Sequence, residues 1–215
     1  MAGIRMYTLY YSPGTASMAV HLALLEIGAP HELRLIDFDA RGQKDPDYLR
    51  LNPNGLVPTL VIGGVAHYEC AALLLLLGER HPEADLAPVP GDAARGAYLQ
   101  WMLHLANTLQ PAFRQWFYPA DFGPIEDDDT MREYARRRIE SVWDRLDAHL
   151  AANGPCVLGE RLGIVDLYAT MLMRWSRNMP KPADRWPALA ALAARVKARP
   201  AWKRLYAVEG LTEWA

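Results

Sequence analysis

Residues 52–58 of this 215-residue chain read Asn-Pro-Asn-Gly-Leu-Val-Pro and lead directly into the apolar, β-branched stretch Thr59–Ile62. A proline at the mouth of a strand lacks the ladder donor, and only an X-Pro bond makes the cis form cheap. The Val57–Pro58 bond is therefore an obvious place for a cis peptide. Thr59–Ile62 and Val65–Tyr68 flank Gly63-Gly64, a two-residue hairpin signal. Glu69 and Cys70 follow and open a run of alanines and leucines that reads as a helix over residues 70–81. Backbone N–H groups point outward at a helix start and favour anions. A fixed turn beside such a start suits a small peptide with carboxylates at its ends.

The stretches on either side organise themselves around this turn. Tyr7–Tyr11 is a short aromatic and β-branched strand that stops at Ser12-Pro13-Gly14. From Ser17 to Ile27 the residues Val20, Leu24 and Ile27 fall at helical spacing, and Gly28 closes the helix. Residues 31–36 alternate like a second strand, and residues 45–51 form a short helical turn before Asn52. The order βαβ, hairpin, helix describes a small α/β layer over residues 1–81. Three prolines, Pro82, Pro88 and Pro90, mark a linker over residues 82–90. Beyond it no strand pattern occurs. Residues 92–116 read as a long helical segment, and Met131, Ala135, Ile139, Val142, Leu146 and Leu150 form one apolar stripe on a helix. Further helices are expected at residues 164–177, 187–198 and 200–207. Residues 91–215 are therefore expected to be an all-helical domain.

Bulk properties exclude several function classes. The hydrophobic fraction of 51% supports a sizeable core. The 23 basic and 25 acidic residues leave a net charge of −2, with no basic footprint for a nucleic-acid partner. No apolar run approaches the roughly 18–20 residues needed to span a bilayer, so no membrane partner is expected. Residues 1–5 lack a signal-peptide layout. Two cysteines, Cys70 and Cys156, make no disulfide framework, which points to a reducing, cytoplasmic compartment. The six histidines are scattered without ligand spacing, so no metal is expected.

The turn and the Glu69-Cys70 pair resemble the N-terminal domain of the glutathione S-transferase family. There an Asn-Pro-x-Gly-x-Val-Pro stretch precedes an acidic-Ser pair. Tyr10-Tyr11-Ser12-Pro13-Gly14 followed by a helix is similar to the opening of bacterial, beta-like members. Gly159-Glu160-Arg161-Leu162-Gly163-Ile164-Val165-Asp166 resembles the folding motif of the family's C-terminal domain. The resemblance covers almost the whole chain. It implies a thioredoxin-like domain followed by an all-α domain, a homodimer, and glutathione as co-substrate. It also implies site residues. The backbone of Val57, before Pro58, pairs with the cysteinyl part of glutathione. Glu69 and Cys70 hold the γ-glutamyl end, and Arg41 or Lys44 stands near the glycyl carboxylate.

Glutathione chemistry needs a thiolate near neutral pH, and a helix start or a hydrogen-bond donor beside the sulfur lowers the thiol's pKa. Beta-like members place a Cys at the start of the first helix. Alignment puts Ala16 there, so the expected donor is a hydroxyl: Ser17 first, then Thr15, then Ser12. Ser17 and Thr15 have a plain structural alternative as helix caps. Cys70 stands where the family has Ser, and a thiol donates less well than a hydroxyl. Its alternatives are a small packing residue or a partner in a mixed disulfide with glutathione. Asp166 reads as a folding residue: with Gly163 as N-cap it sits at N3, and Leu162 and Leu167 form a hydrophobic staple.

The resemblance places a second substrate between the domains. Gln110, Phe113, Arg114, Tyr118 and Tyr168 are the candidates for binding an apolar electrophile. The expected reaction is attack of the glutathione thiolate on an electrophilic carbon, a detoxifying conjugation. The alternatives are a non-catalytic binder of glutathione and apolar ligands, and a glutathione-dependent disulfide reductase.

Overall fold

The computed structural model describes residues 6–122 and 128–215. Contacts divide the chain into two units: one holds residues up to Ala87 together with Lys197–Ala215, and the other holds Pro88–Val196.

The first unit is a four-stranded sheet with helices. Strands β1 (Tyr7–Tyr11), β2 (His31–Leu35), β3 (Thr59–Ile62) and β4 (Val65–Tyr68) lie in the order β2-β1-β3-β4. The β1–β2 pair is parallel, as a βαβ crossover through α1 (Ser17–Ile27) requires. The β1–β3 and β3–β4 pairs are antiparallel, the second closed by Gly63 and Gly64, both at positive φ. This is the thioredoxin-like layer. Leu9 and Leu60 face each other in the register and are fully buried. Helix α1 packs on β1 and on α3 (Cys70–Arg80), burying every residue from Ser17 to Leu24. Gly28 ends α1 in the left-handed conformation at φ 72°.

The side chain of Tyr10 leaves β1 in the opposite direction from Leu9. It joins Ile36, Tyr48 and Val57 in a smaller cluster with α2 (Pro46–Leu51). Pro46 opens α2, and the Asp45 carboxylate caps it by accepting from the Asp47 N–H at 2.7 Å. The last helix, α9 (Pro200–Glu209), packs against α1, so its place is with the sheet rather than with the helices that precede it in sequence.

The second unit is helical: α4 (Arg95–His104), α5 (Gln110–Phe117), α6 (Asp128–Asn153), α7 (Ile164–Trp175) and α8 (Pro187–Lys197). No strand occurs there among the described residues. Residues 92–116 are not one α-helix. A π turn at Leu105–Leu109 separates α4 from α5. Pro111 has no N–H to give and its ring crowds the carbonyl one turn back, and a wider turn accommodates both. Trp143, Phe113 and Tyr168 form the centre of this unit and are fully buried. Asp166 organises the start of α7: its carboxylate accepts from Gly163 N–H at 2.7 Å and from Val157 N–H at 2.8 Å. No helix among the described residues is long and apolar enough to cross a membrane.

Candidate functional site

Three short segments of the first unit carry the candidate site. They are the loop from β1 into α1, the turn before β3, and the junction of β4 with α3.

The turn is held from inside. Asn52 is buried, and its amide nitrogen donates to the Leu56 carbonyl at 2.8 Å and to Thr59 Oγ1 at 3.1 Å. Its amide oxygen accepts from Asn54 N–H at 3.1 Å. Tyr48 donates its phenol to the same Leu56 carbonyl. Gly55 lies at φ 60°, and a side chain there would run into the Gln43 carbonyl, so only glycine fits. These contacts present Leu56, Val57 and Pro58 at the mouth of β3, and the Val57–Pro58 peptide is cis. Gly154–Pro155, in the second unit, is also cis, which the sequence did not signal. The Lys44 ammonium folds back over Gly55, whereas Arg41 is exposed at φ 57°, at the N-cap of the 3₁₀ turn Gly42–Lys44.

Glu69 joins β4 to α3 at φ 74° and ψ 109°, a conformation L-residues rarely adopt. Its carboxylate is exposed and caps nothing. It stands beside the first amides of α3, which have no partner within the helix. Cys70 turns the other way. Its side chain is buried, and Sγ donates to the Ala16 carbonyl at 3.3 Å. Burial, with the nearby Glu69 charge adding to it, pushes the thiol far above its ordinary value. What Cys70 can offer a ligand is therefore its backbone N–H. Cys156 is also buried, and burial raises its thiol to about 11.

The β1–α1 loop gathers the three hydroxyls unequally. The Ser12 carbonyl accepts from Thr15 N–H (3.3 Å), the Thr15 hydroxyl (2.7 Å) and the Ser17 hydroxyl (3.1 Å). The Ser12 N–H donates to Ser17 Oγ at 3.2 Å, so Ser12 enters this network through its backbone only. Ser17 is fully buried, with its hydroxyl spent on the loop. Thr15 is half-buried and lies just ahead of α1, with Oγ1 2.9 Å from Ser17 Oγ and facing the Ser17 N–H at 3.4 Å. If the Thr15 proton turned outward, the Ser12 carbonyl would keep two donors. Of the two hydroxyls in the network, Thr15 is thus the one that can leave it at least cost, while the Ser12 hydroxyl takes no part in it.

The loop is also held by a residue the sequence did not single out. Gly14 N–H donates to Glu209 Oε2 of α9 at 2.9 Å, across 195 positions of chain. Near the end of a final helix, an acidic residue reads as a solvated charge, so pattern alone carried no signal for it.

The candidates for the second substrate all lie in the second unit. Phe113 and Tyr168 are fully buried, and the Tyr168 phenol donates to Gln110 Oε1. Arg114 lies 4.5 Å above the Tyr118 ring and pairs with Asp121. The exposed aromatic surface of this region is Phe117, Tyr118 and Phe122. Buried Phe113 stacks on Phe117, and both lie edge-on to Trp175.

Comparison with known proteins agrees with this architecture. The family model for the glutathione S-transferase N-terminal domain matches residues 15–80, and that for the C-terminal domain matches residues 102–200. The chain is 30% identical to a glutathione S-transferase, GST-4.5, of Xanthomonas campestris pv. campestris, over 94% of this chain and 98% of the relative. Among solved structures, a glutathione transferase homologue from Sulfitobacter with bound glutathione superposes with a TM-score of 0.87 at 27% identity, covering 96% of this chain and 99% of that one. A sphingomonad glutathione S-transferase complexed with glutathione superposes at 0.83 with 29% identity, covering 95% of this chain and 100% of the other. The chain belongs to the glutathione S-transferase family.

Proposed function

We propose that this protein is a glutathione transferase that joins the glutathione thiolate to small apolar electrophiles, with Thr15 as the hydroxyl that faces the sulfur. The observation that carries the reading is the meeting of three features in one unit. A braced turn presents the Val57 backbone, an unpaired Glu69 carboxylate stands beside the start of α3, and a half-buried hydroxyl stands at the start of α1. A tripeptide with an ammonium and a carboxylate at its γ-glutamyl end fits Glu69 and the α3 amides by charge. Its cysteinyl backbone runs along Val57, and its glycyl carboxylate lies toward Lys44, the cation folded over the turn.

The thiol loses its proton because two donors oppose its charge in the same place. The start of α1 contributes about 0.3–1 kcal/mol. A hydroxyl donating to the anion adds about 1.5–3 kcal/mol. The thiolate then attacks carbon and the leaving group departs with the electron pair. Cysteine-based disulfide chemistry draws no support from Cys70, whose thiol is buried and held protonated. We further propose a cytoplasmic homodimer acting in detoxification. The family assembles so, and closed two-fold dimers are the commonest oligomers.

Conjugation and disulfide reduction are to be assayed side by side on the wild type and on Thr15→Val. Conjugation that falls in Thr15→Val, with no disulfide reduction in either protein, is the expected result. Glutathione binding without conjugation, and without thiolate absorbance at neutral pH, would identify a non-catalytic binder instead.

A further inference from the structure

Helices α1 and α9 are tied at both ends. Toward the end of α1, both Glu26 carboxylate oxygens accept from Arg199, one from Nε and one from Nη2, at 2.6 Å each. At the opposite end, Glu209 meets the loop that leads into α1. Helix α9 therefore runs antiparallel to α1, from Arg199 beside Glu26 to Glu209 beside Gly14. The two ties differ in kind. The Arg199 side chain is 42% exposed, whereas Glu209 is buried.

Glu209 divides its two oxygens. Oε2 accepts the Gly14 N–H at 2.9 Å, and Oε1 lies 2.8 Å from His21 Nδ1. An ionised carboxylate only accepts, so Nδ1 carries the proton in this contact. His21 is itself fully buried on α1. Its ring lies edge-on to His31 at 5.5 Å and 6.2 Å from the Tyr11 ring. Its Nε2 is buried with no partner among the described residues. Arg204, on α9, also acts on this cluster, through His31. The Tyr11 phenol is raised by burial and by the Glu209 charge, and so stays neutral beside the loop.

Burying a carboxylate and an imidazole is costly unless their bonds are specific. Here one bond goes to the loop itself. Gly14 sits at φ 68°, immediately before Thr15. Fixing its N–H fixes the Pro13–Gly14 peptide plane, one residue ahead of the Gly14–Thr15 peptide, and so anchors the loop that carries Thr15.

We propose that Glu209 is a positioning residue for the thiol site, holding the Gly14 amide so that the Thr15 hydroxyl meets the sulfur, and that His21 in turn orients Glu209. The inference rests on Thr15 as the donor. Its test uses the full-length protein with Glu209→Ala, Glu209→Asp and Glu209→Gln. For each, the pKa of bound glutathione is read from thiolate absorbance against pH, alongside kcat, KM and Tm.

Aspartate is one methylene too short to span Gly14 and His21, whereas glutamine keeps an acceptor for Gly14 and, with the His21 proton moved to Nε2, donates an amide N–H to Nδ1. Glu209→Asp should raise the bound thiol's pKa by about one unit, a tenfold loss of thiolate preference, and lower kcat at neutral pH by a similar factor. KM for glutathione should change less than about threefold, and Glu209→Gln should restore most of both. Glu209→Ala should resemble Asp; if it does not fold, the Asp and Gln pair still decides. A lower Tm with thiol pKa and kcat unchanged would make Glu209 a helix tie only. Glutamine as impaired as aspartate would show that charge, not position, matters. Either result overturns the proposal. Thr15→Val in parallel separates the two ideas. If it is silent, the donor assignment falls and the stated role of Glu209 falls with it; if it raises the thiol pKa while Glu209→Asp does not, the donor stands and only the positioning role falls. If wild type binds no thiolate at neutral pH, both fall.

Discussion

The Thr15 and Ser17 hydroxyls lie 2.9 Å apart, yet only Thr15 reaches solvent. The two should therefore fail differently. Thr15→Val keeps the shape and removes the donor. It should raise the pKa of bound glutathione by about one to two units, and Thr15→Ser should restore it. Ser17→Ala strips the Ser12 N–H of its acceptor inside the loop. It should cost about 1–2 kcal/mol of fold stability and shift the thiol less than Thr15→Val does. Denaturant unfolding and thiolate titration on both variants check this. A thiol shift in Ser17→Ala equal to that in Thr15→Val would contradict it.

The sequence shows three hydroxyls within six residues but not that Ser17 is the one buried away from solvent. That is decided by α1 being buried from its first residue and by α9 packing on it, a contact between opposite ends of the chain. The strands, the Gly63-Gly64 hairpin and the left-handed Gly28 were legible because each is set by neighbours in sequence. Asn52 was legible as a turn residue, but its role as the buried brace of Leu56 needed the fold. The π turn was not read, since one added residue per turn barely alters an apolar stripe; Pro111, in the interior of residues 92–116, was the signal of an interruption there. Glu209 was invisible for a related reason: no pattern distinguishes an acid that folds inward from one that faces water.

Glu69 combines strain with exposure, and the two make opposite demands on one substitution. A non-glycine residue at positive φ outside the usual well costs about 1–3 kcal/mol. Glu69→Gly relieves that strain, so the fold should gain up to about 1–2 kcal/mol against the flexibility of glycine. The same change removes the carboxylate proposed to meet the ammonium of glutathione. Thermal unfolding should therefore move up while calorimetric binding of glutathione is lost. Glu69→Ala should lose binding with no gain in stability. Binding retained by either variant would place the γ-glutamyl end elsewhere.

Asp166 links stability to pH. Burial raises its carboxyl from 3.8 to about 6, against the pull of the Val157 and Gly163 N–H groups toward the charged form. The folded state thus binds this proton more tightly than the unfolded state does. The stabilisation is full below pH 3.8 and is lost as pH rises through about 6. Two units correspond to about 3 kcal/mol. Relative to Asp166→Asn, wild type should become more stable between pH 7 and pH 4 by up to that amount. At any pH Asp166→Ala should cost about 2–4 kcal/mol, since two buried N–H groups lose their acceptor. Urea midpoints for the three proteins across that range provide the measurement. A difference between wild type and Asp166→Asn that does not change with pH would show the carboxyl titrating alike in both states.

The two cysteines should be inert in the folded protein. Disulfide exchange needs a thiolate and access to it. Cys70 has neither: burial holds its thiol protonated, and Sγ points to the Ala16 carbonyl. Cys156 is 2% exposed, and burial raises it to about 11. Native protein incubated with oxidised glutathione should therefore gain no adduct by intact-mass spectrometry, while protein in denaturant should gain up to two. Cys70→Ser offers the Ala16 carbonyl a better donor of similar size, so its stability should stay within about 1 kcal/mol of wild type. Its conjugation rate should be unchanged as well, because the γ-glutamyl end is proposed to use the backbone N–H at this position. An adduct on native Cys70, or a Cys70→Ser variant that loses conjugation, would mean that the thiol turns outward during turnover.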